Sequence, residues 1–284
     1  MKSMIRKILL LKFILISLFI LSCAPQKKEA FDQVTIEPQQ QIVGGNYQKA
    51  LDYYIVAFEK HPNDEKLLKD YIITLKRINQ IGSAAFEAEN FVLAVRIYSI
   101  LLKNFSQFRD FDRSLPFTKN SLRSHVRDCK INLSERQSRQ YLEAGNFTKA
   151  INSYRATYLQ YSSDPVLTTN LINIILDMKF LAQISISKED FLSAGRIYYA
   201  LLKEQKYFNK FYKSLSIPKD VLNEGIENCS LQLTKRGLEK YREGNLAEAI
   251  SIWKGILKFD PDNQQIKKAI ETASTQLKSI KKGN

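Results

Sequence analysis

The sequence predicts an all-α fold, an α-solenoid of about five helix pairs closed by a C-terminal capping helix, and three observations carry that prediction. A Gly-Asn-apolar motif followed three residues later by Ala occurs at Gly45 with Ala50, at Gly145 with Ala150 and at Gly244 with Ala249. Two looser copies, Glu89-Asn90-Phe91 with Ala94 and Glu189-Asp190-Phe191 with Ala194, lie 100 residues apart, as do Cys129 and Cys229. Helical periodicity runs through nearly everything from Pro38 onward, and no alternating strand pattern of useful length appears. A fixed repeat of this kind marks stacked supersecondary units that work through surfaces rather than through one cleft.

Each position of the motif has a physical reason. Glycine permits the positive φ of a sharp inter-helix turn, and the small alanine lets two backbones approach closely. The bulky residues Tyr54, Tyr154 and Trp253 fill the space beside that contact. Pro62 and Pro261 cannot continue a helix, so they end the second helix of the pair and open the next connection. The copy at Gly145 has Ser162 in place of that proline.

These residues resemble the second half of the tetratricopeptide repeat (TPR), a helix-turn-helix unit whose copies stack into a right-handed superhelix. The resemblance covers residues 37–280 and is most specific from Gly237 to Pro261. Successive units start 44, 56, 44 and 55 residues apart, against about 34 in the standard family. Leu233, Gly237 and Tyr241 in the last copy and Tyr141 in the third are what remains of the family's first-helix signature. The resemblance implies that first helices line a binding wall, which makes Arg139, Glu143, Tyr241 and Arg242 the candidates for contact with a partner.

In chain order the pattern places a short first helix ending at Gly44 with a partner over 47–60. The pairs 65–87 with 91–103, 122–143 with 147–161, 165–184 with 191–204 and 222–243 with 246–259 follow. A final helix over 263–281 has one apolar face (Ile266, Ala269, Ile270, Ala273, Leu277) and one wet face, as a cap over the last core edge requires. Leu122, Val126, Cys129 and Leu133 recur as Leu222, Ile226, Cys229 and Leu233, buried helical stripes in which the two cysteines are core thiols. Two layers of solenoid rise, about 20 Å in all at helix-packing distances, separate these cysteines and exclude a disulfide between them.

The extra residues behind the long spacings fall in 105–119 and 207–219, two matching segments. Phe108, Arg109, Phe111 and Arg113 in the first correspond to Phe208, Lys210, Phe211 and Lys213 in the second. Two readings apply. The aromatics tuck over the preceding helix pair and leave the cations in water, or the segments bind an anionic envelope polymer by stacking and charge.

The N-terminus reads as an export signal over 1–22: Lys2, Arg6 and Lys7 precede a short apolar core that ends in Ile20-Leu21-Ser22-Cys23. That run resembles a bacterial lipobox, which implies acylation of Cys23 and anchoring of a disordered tether, 23–36, ahead of the repeat domain, 37–284. The alternatives are an ordinary signal peptide with an incidental cysteine and an uncleaved inner-membrane signal anchor over Ile8 to Leu21. Ala24 after the cysteine implies, by resemblance to known sorting rules, the outer membrane facing the periplasm. Removal of residues 1–22 takes away four basic and no acidic side chains, and the net charge falls from +14 to +10.

Little in the chain suggests chemistry. Only His61 and His125 are present, neither at metal-ligand spacing, and no Gly-rich phosphate loop occurs. Neither a catalytic residue nor a cofactor nor a metal is expected, and nucleic acid is not an expected partner. The expected function is a non-catalytic, membrane-anchored scaffold that binds an envelope protein or peptide in assembly, secretion or a pilus-type complex.

Overall fold

Asp64 and Asp164 open equivalent helices in the same way, each carboxylate accepting hydrogen bonds from the amides two and three residues on at 2.9 to 3.1 Å. In the computed structural model, which describes residues 37–283, twelve α-helices and one 3-10 segment follow, and there is no strand among the described residues. They are α1 (37–43), α2 (Tyr47–Lys60), α3 (Glu65–Glu87), α4 (Phe91–Lys103) and the 3-10 segment Phe105–Ser114. Next come α5 (Lys119–Glu143), α6 (Phe147–Asn152), α7 (Arg155–Gln160), α8 (Pro165–Ser187) and α9 (Phe191–Ser214). The chain ends with α10 (Lys219–Arg242), α11 (Leu246–Ile256) and α12 (Gln264–Gly283). The architecture is therefore an all-α helical repeat of five successive pairs, with α6 and α7 together forming one partner and α12 the cap. The signal segment, Cys23 and the tether lie outside the described residues.

The five inter-helix turns are built alike. The amides of Asn46, Asn90, Asn146, Asp190 and Asn245 each donate to the carbonyl five residues back, at 2.7 to 2.9 Å, which closes the C-terminal turn of the preceding helix. This geometry needs a positive φ at the residue before, and Gly45, Gly145 and Gly244 adopt 73°, 68° and 81°. Glu89 and Glu189 are forced to 55° and 57° at the same place, so the looser copies lack glycine without losing the turn. An L-residue there is strained by about 1–2 kcal/mol. Glu189→Gly is therefore expected to be about 0.5–1 kcal/mol more stable than Glu189→Ala, both having lost the same carboxylate. Urea unfolding of the two variants reads the difference, and equal midpoints would remove the strain argument.

Arginines from the following layer clamp these turns. Arg196 donates to the Gly145 carbonyl at 2.7 Å and lies over the Phe147 ring, while Arg236 donates to the Glu189 carbonyl at 2.9 Å and lies over Phe191. Arg96 reaches the Gly45 carbonyl at 3.5 Å. Arg196 and Arg236 thus each satisfy a carbonyl that the helix end leaves open and cover an aromatic face.

By contacts the chain forms two compact units, up to Val126 and from Arg127. In the first, Ala50, Leu67, Leu75, Ala94, Ile97 and Leu101 form the core, and Tyr54 stacks on Tyr71 at 4.7 Å between centroids with its hydroxyl 2.9 Å from Thr74. The second repeats the core 100 residues later with Ala150, Leu167, Ile175, Ala194, Ile197 and Leu201. Beyond it, Cys229, Ala249, Trp253, Ile256 and Phe259 pack against Ile266 and Ala273 of α12. Each helix of the second unit from α8 onward packs on the next, and α6 also packs on α9.

Several element boundaries differ from the sequence expectation, among them the end of α8, three residues late at Ser187, and that of α11, three residues early at Ile256. Helices α5 and α10 begin three residues early, at Lys119 and Lys219. Helix α9 runs ten residues past Glu204 to Ser214, kinked at Phe208. The single helix expected over 147–161 breaks at Ser153, whose hydroxyl donates to the Ala150 carbonyl at 2.8 Å and competes with the backbone ladder.

Candidate functional site

The first helices of the pairs in the second unit, α5, α8 and α10, together with α12, present the side chains outside the core. Glu135 of α5 accepts from Arg139 at 3.0 Å and from Asn170 of α8 at 2.9 Å. Burial keeps the Tyr154 phenol protonated beneath this network, and Glu135 adds to that effect. Arg139 is exposed and its charge is held by the Glu135 pair.

Between α10 and α12 lies a groove of about 560 Å³. Its floor is the Trp253 indole and Ile266, its apolar edge is Leu231 and Leu238, and its acidic members are Glu227 and Asp260. Tyr241 closes one end, its hydroxyl donating to Gln276 at 2.8 Å across the groove. Asp260 is fixed by Asn263 at 2.8 Å, the residue whose side chain also caps α12 at the Ile266 amide. Leu231 and Leu238 are 52% and 39% exposed, which leaves two large apolar side chains two turns apart on one edge.

Of the four partner-binding candidates, the structure brings only Tyr241 into this groove. Arg139 stands on α5, and Glu143 and Arg242 are exposed at the C-terminal ends of α5 and α10. Leu231, Leu238, Glu227 and Asp260 were not among the candidates. The available signal was an apolar pair seven apart, off the buried stripe of Leu222, Ile226, Cys229 and Leu233. Helix α8 shows the same character: with a mean hydropathy of 1.2 it is long and apolar enough to cross a membrane by composition. Its inner row packs in the core, and Leu176 and Phe180 form an outer apolar row.

The aromatics expected to stack on a polymer are core residues. Phe108 and Phe208 are fully buried and Phe211 nearly so. Phe108 meets Tyr71 and Phe117 at 6.0 and 6.4 Å, and Tyr158 meets Phe208 and Phe211 at 5.4 and 5.5 Å. Phe111 is half-buried against Tyr71 at 5.7 Å. Aromatic stacking on a ligand is thus corrected to aromatic packing in the fold, because the kinked helices fold these rings under the preceding pair. Arg113, Lys210 and Lys213 remain exposed, Lys210 over the Tyr158 ring at 5.2 Å, and the Arg109 side chain lies outside the described residues.

Cys129 and Cys229 are buried free thiols. Desolvation raises both pKa values to about 11, with Asp128 adding to the effect at Cys129. They remain protonated at neutral pH and are inert as nucleophiles. His125, the one histidine on a packed face, stacks on Tyr98 at 4.6 Å as a core-edge ring.

Fold and surface together define an all-α helical-repeat protein. No family model matches the chain, and comparison with curated proteins gives no match. Among solved structures, a circular tandem repeat protein with novel repeat topology and enhanced subunit contact surfaces is 16% identical over 90% of this chain and 67% of its own, with a TM-score of 0.24.

Proposed function

We propose that the protein is a non-catalytic scaffold of the tetratricopeptide type, held at the outer membrane by lipid on Cys23 and facing the periplasm, which binds a segment of an envelope protein. The observation that carries this reading is the α10/α12 groove. It offers exposed Leu231 and Leu238 for apolar anchors, an aromatic floor, and Glu227 and Asp260 for a basic side chain. A helix or peptide with two apolar residues and one lysine or arginine complements it, the mode in which an amphipathic segment lies in a groove. The lipobox-like run and the tether-like composition of 23–36 support the anchoring.

The test is a photo-crosslinking amino acid at position 231 of the full-length protein in its native host. One envelope protein is expected to be trapped, and trapping is expected to fall about tenfold or more when Leu238→Glu puts a charge on the apolar edge. Labelling with an alkyne fatty acid is expected to mark the chain and to vanish in Cys23→Ser. Failure to trap any protein refutes the groove reading, and labelling that survives Cys23→Ser refutes the anchor.

A further inference from the structure

A second groove, of about 970 Å³, lies where the end of α9 turns into α10. Leu202, Tyr212, Ile217 and Pro218 form its apolar wall, and its charged members are all cations: Lys206, Lys213 and Lys219. All three are exposed, and none belongs to an ion pair among the described residues. Glu204 is buried in a pair with Arg155, and Asp220 lies outside the groove lining. The amides of Asn209 and Gln205 add polar contacts, Gln205 being fixed by donating to the Ile217 carbonyl at 3.2 Å.

The two halves of the repeat diverge at this place. In the first, Thr118 and Ser121 cap the start of α5 reciprocally, at 2.8 and 3.1 Å. In the second, Pro218 and Val221 stand at the equivalent positions and α10 has no side-chain cap. Lys206 likewise replaces Ser106. Arg113 and Lys119 already stand where Lys213 and Lys219 do, so the added Lys206 and the loss of the side-chain cap are what set the second half apart.

We propose that this groove binds a flexible polyanion, a chain whose phosphate or carboxylate groups repeat along its length. Lys206 and Lys213 stand on the two helical segments that meet at the kink at Phe208, and Lys219 opens the next helix, so three cations on three segments line one wall, which suits the repeated charges of a chain. A concave wall with apolar residues between the lysines admits a chain and not a flat bilayer surface. The inference is independent of the α10/α12 groove: it uses different helix faces and a different ligand class.

The experiment uses the full-length protein in detergent with long-chain inorganic polyphosphate as the probe, read by fluorescence anisotropy. Binding is expected to weaken steeply with salt, and Lys206→Gln/Lys213→Gln/Lys219→Gln is expected to cost roughly 30-fold at low salt. A charge-matched control, Lys267→Gln/Lys268→Gln/Lys278→Gln on α12, is expected to cost less than about threefold. Equal losses in the two variants would reduce the effect to net charge and overturn the proposal, as would absence of polymer binding at low salt. Tripolyphosphate binding as tightly as the polymer would make the site one for a small anion. Tighter binding to phosphatidylglycerol vesicles, lost in the groove variant, would make it a membrane contact. Either result overturns the polyanion assignment.

Discussion

Gly237→Ala is expected to destabilise the second unit by about 3 kcal/mol, at the upper end of the usual cost of overpacking. A Cβ at Gly237 would fall 2.6 Å from Cδ1 of Trp253 and closer still to its Nε1, far inside van der Waals contact. The indole cannot step aside. It is 4% exposed, its N–H is directed at the Thr234 carbonyl at 3.5 Å, and Tyr241 lies 6.0 Å away on its other flank. Because Trp253 is also the floor of the α10/α12 groove, the same substitution should reduce trapping of a partner from position 231. Urea unfolding with an unchanged m-value checks the stability effect. Trp253→Phe added to Gly237→Ala should recover part of the loss, since the smaller ring vacates the space of the five-membered ring. A single-variant loss under about 0.5 kcal/mol, or no recovery in the double variant, would show that the close helix approach is not what holds this layer together.

Arg155→Met is the second large effect. Glu204 is 1% exposed and its only ion-pair partner among the described residues is Arg155, at 2.5 Å, whose guanidinium also lies 3.8 Å above the Tyr207 ring. Removing one member of a buried pair strands the other charge, at a cost of about 3–5 kcal/mol. Replacing both, Arg155→Met with Glu204→Leu, removes the charge and its desolvation together, and most of the stability should return. The first unit has no such pair, Ile55 standing where Arg155 does. Asn104, equivalent to Glu204, donates to Gln48 at 2.9 Å and to the Ile100 carbonyl at 2.8 Å. A thermal melt of the three variants decides the matter, and a double variant as unstable as Arg155→Met alone would assign the loss to packing on Tyr207 rather than to charge.

Much of the helix-pair scheme was legible because its causes are local. The turn glycines, the alanines at the close contacts and the bulky residues beside them appear in the chain in the order in which they pack, and Ala50, Ala94, Ala150, Ala194 and Ala249 are all fully buried. The glutamates at 89 and 189 show why a looser copy can still be read: the alanine and aromatic positions carry the packing, and the turn accepts some strain at its end. The distinctive segments were legible only as a choice. Aromatics three apart fit both a buried helical row and an exposed stacking row. Which row it is depends on what lies across from it, here Tyr71 in one unit and Tyr158 in the other.

The candidate sites were less legible still. Tyr241 was found because the repeat motif points to it, whereas Leu231 and Leu238 meet Asp260 only because the loop after α11 brings α12 back across α10. Lys206, Lys213 and Lys219 likewise come to one groove through the kink at Phe208 and the turn at Ser216. The amino-acid sequence by itself determined the helix pairs, their five turns and the order of the core, because turn conformation, helix capping and apolar periodicity act over a few residues. Only the tertiary structure decided which side chains share a groove, because that depends on helix rotation, kinks and the path of distant connections, and a one-dimensional pattern does not contain those angles.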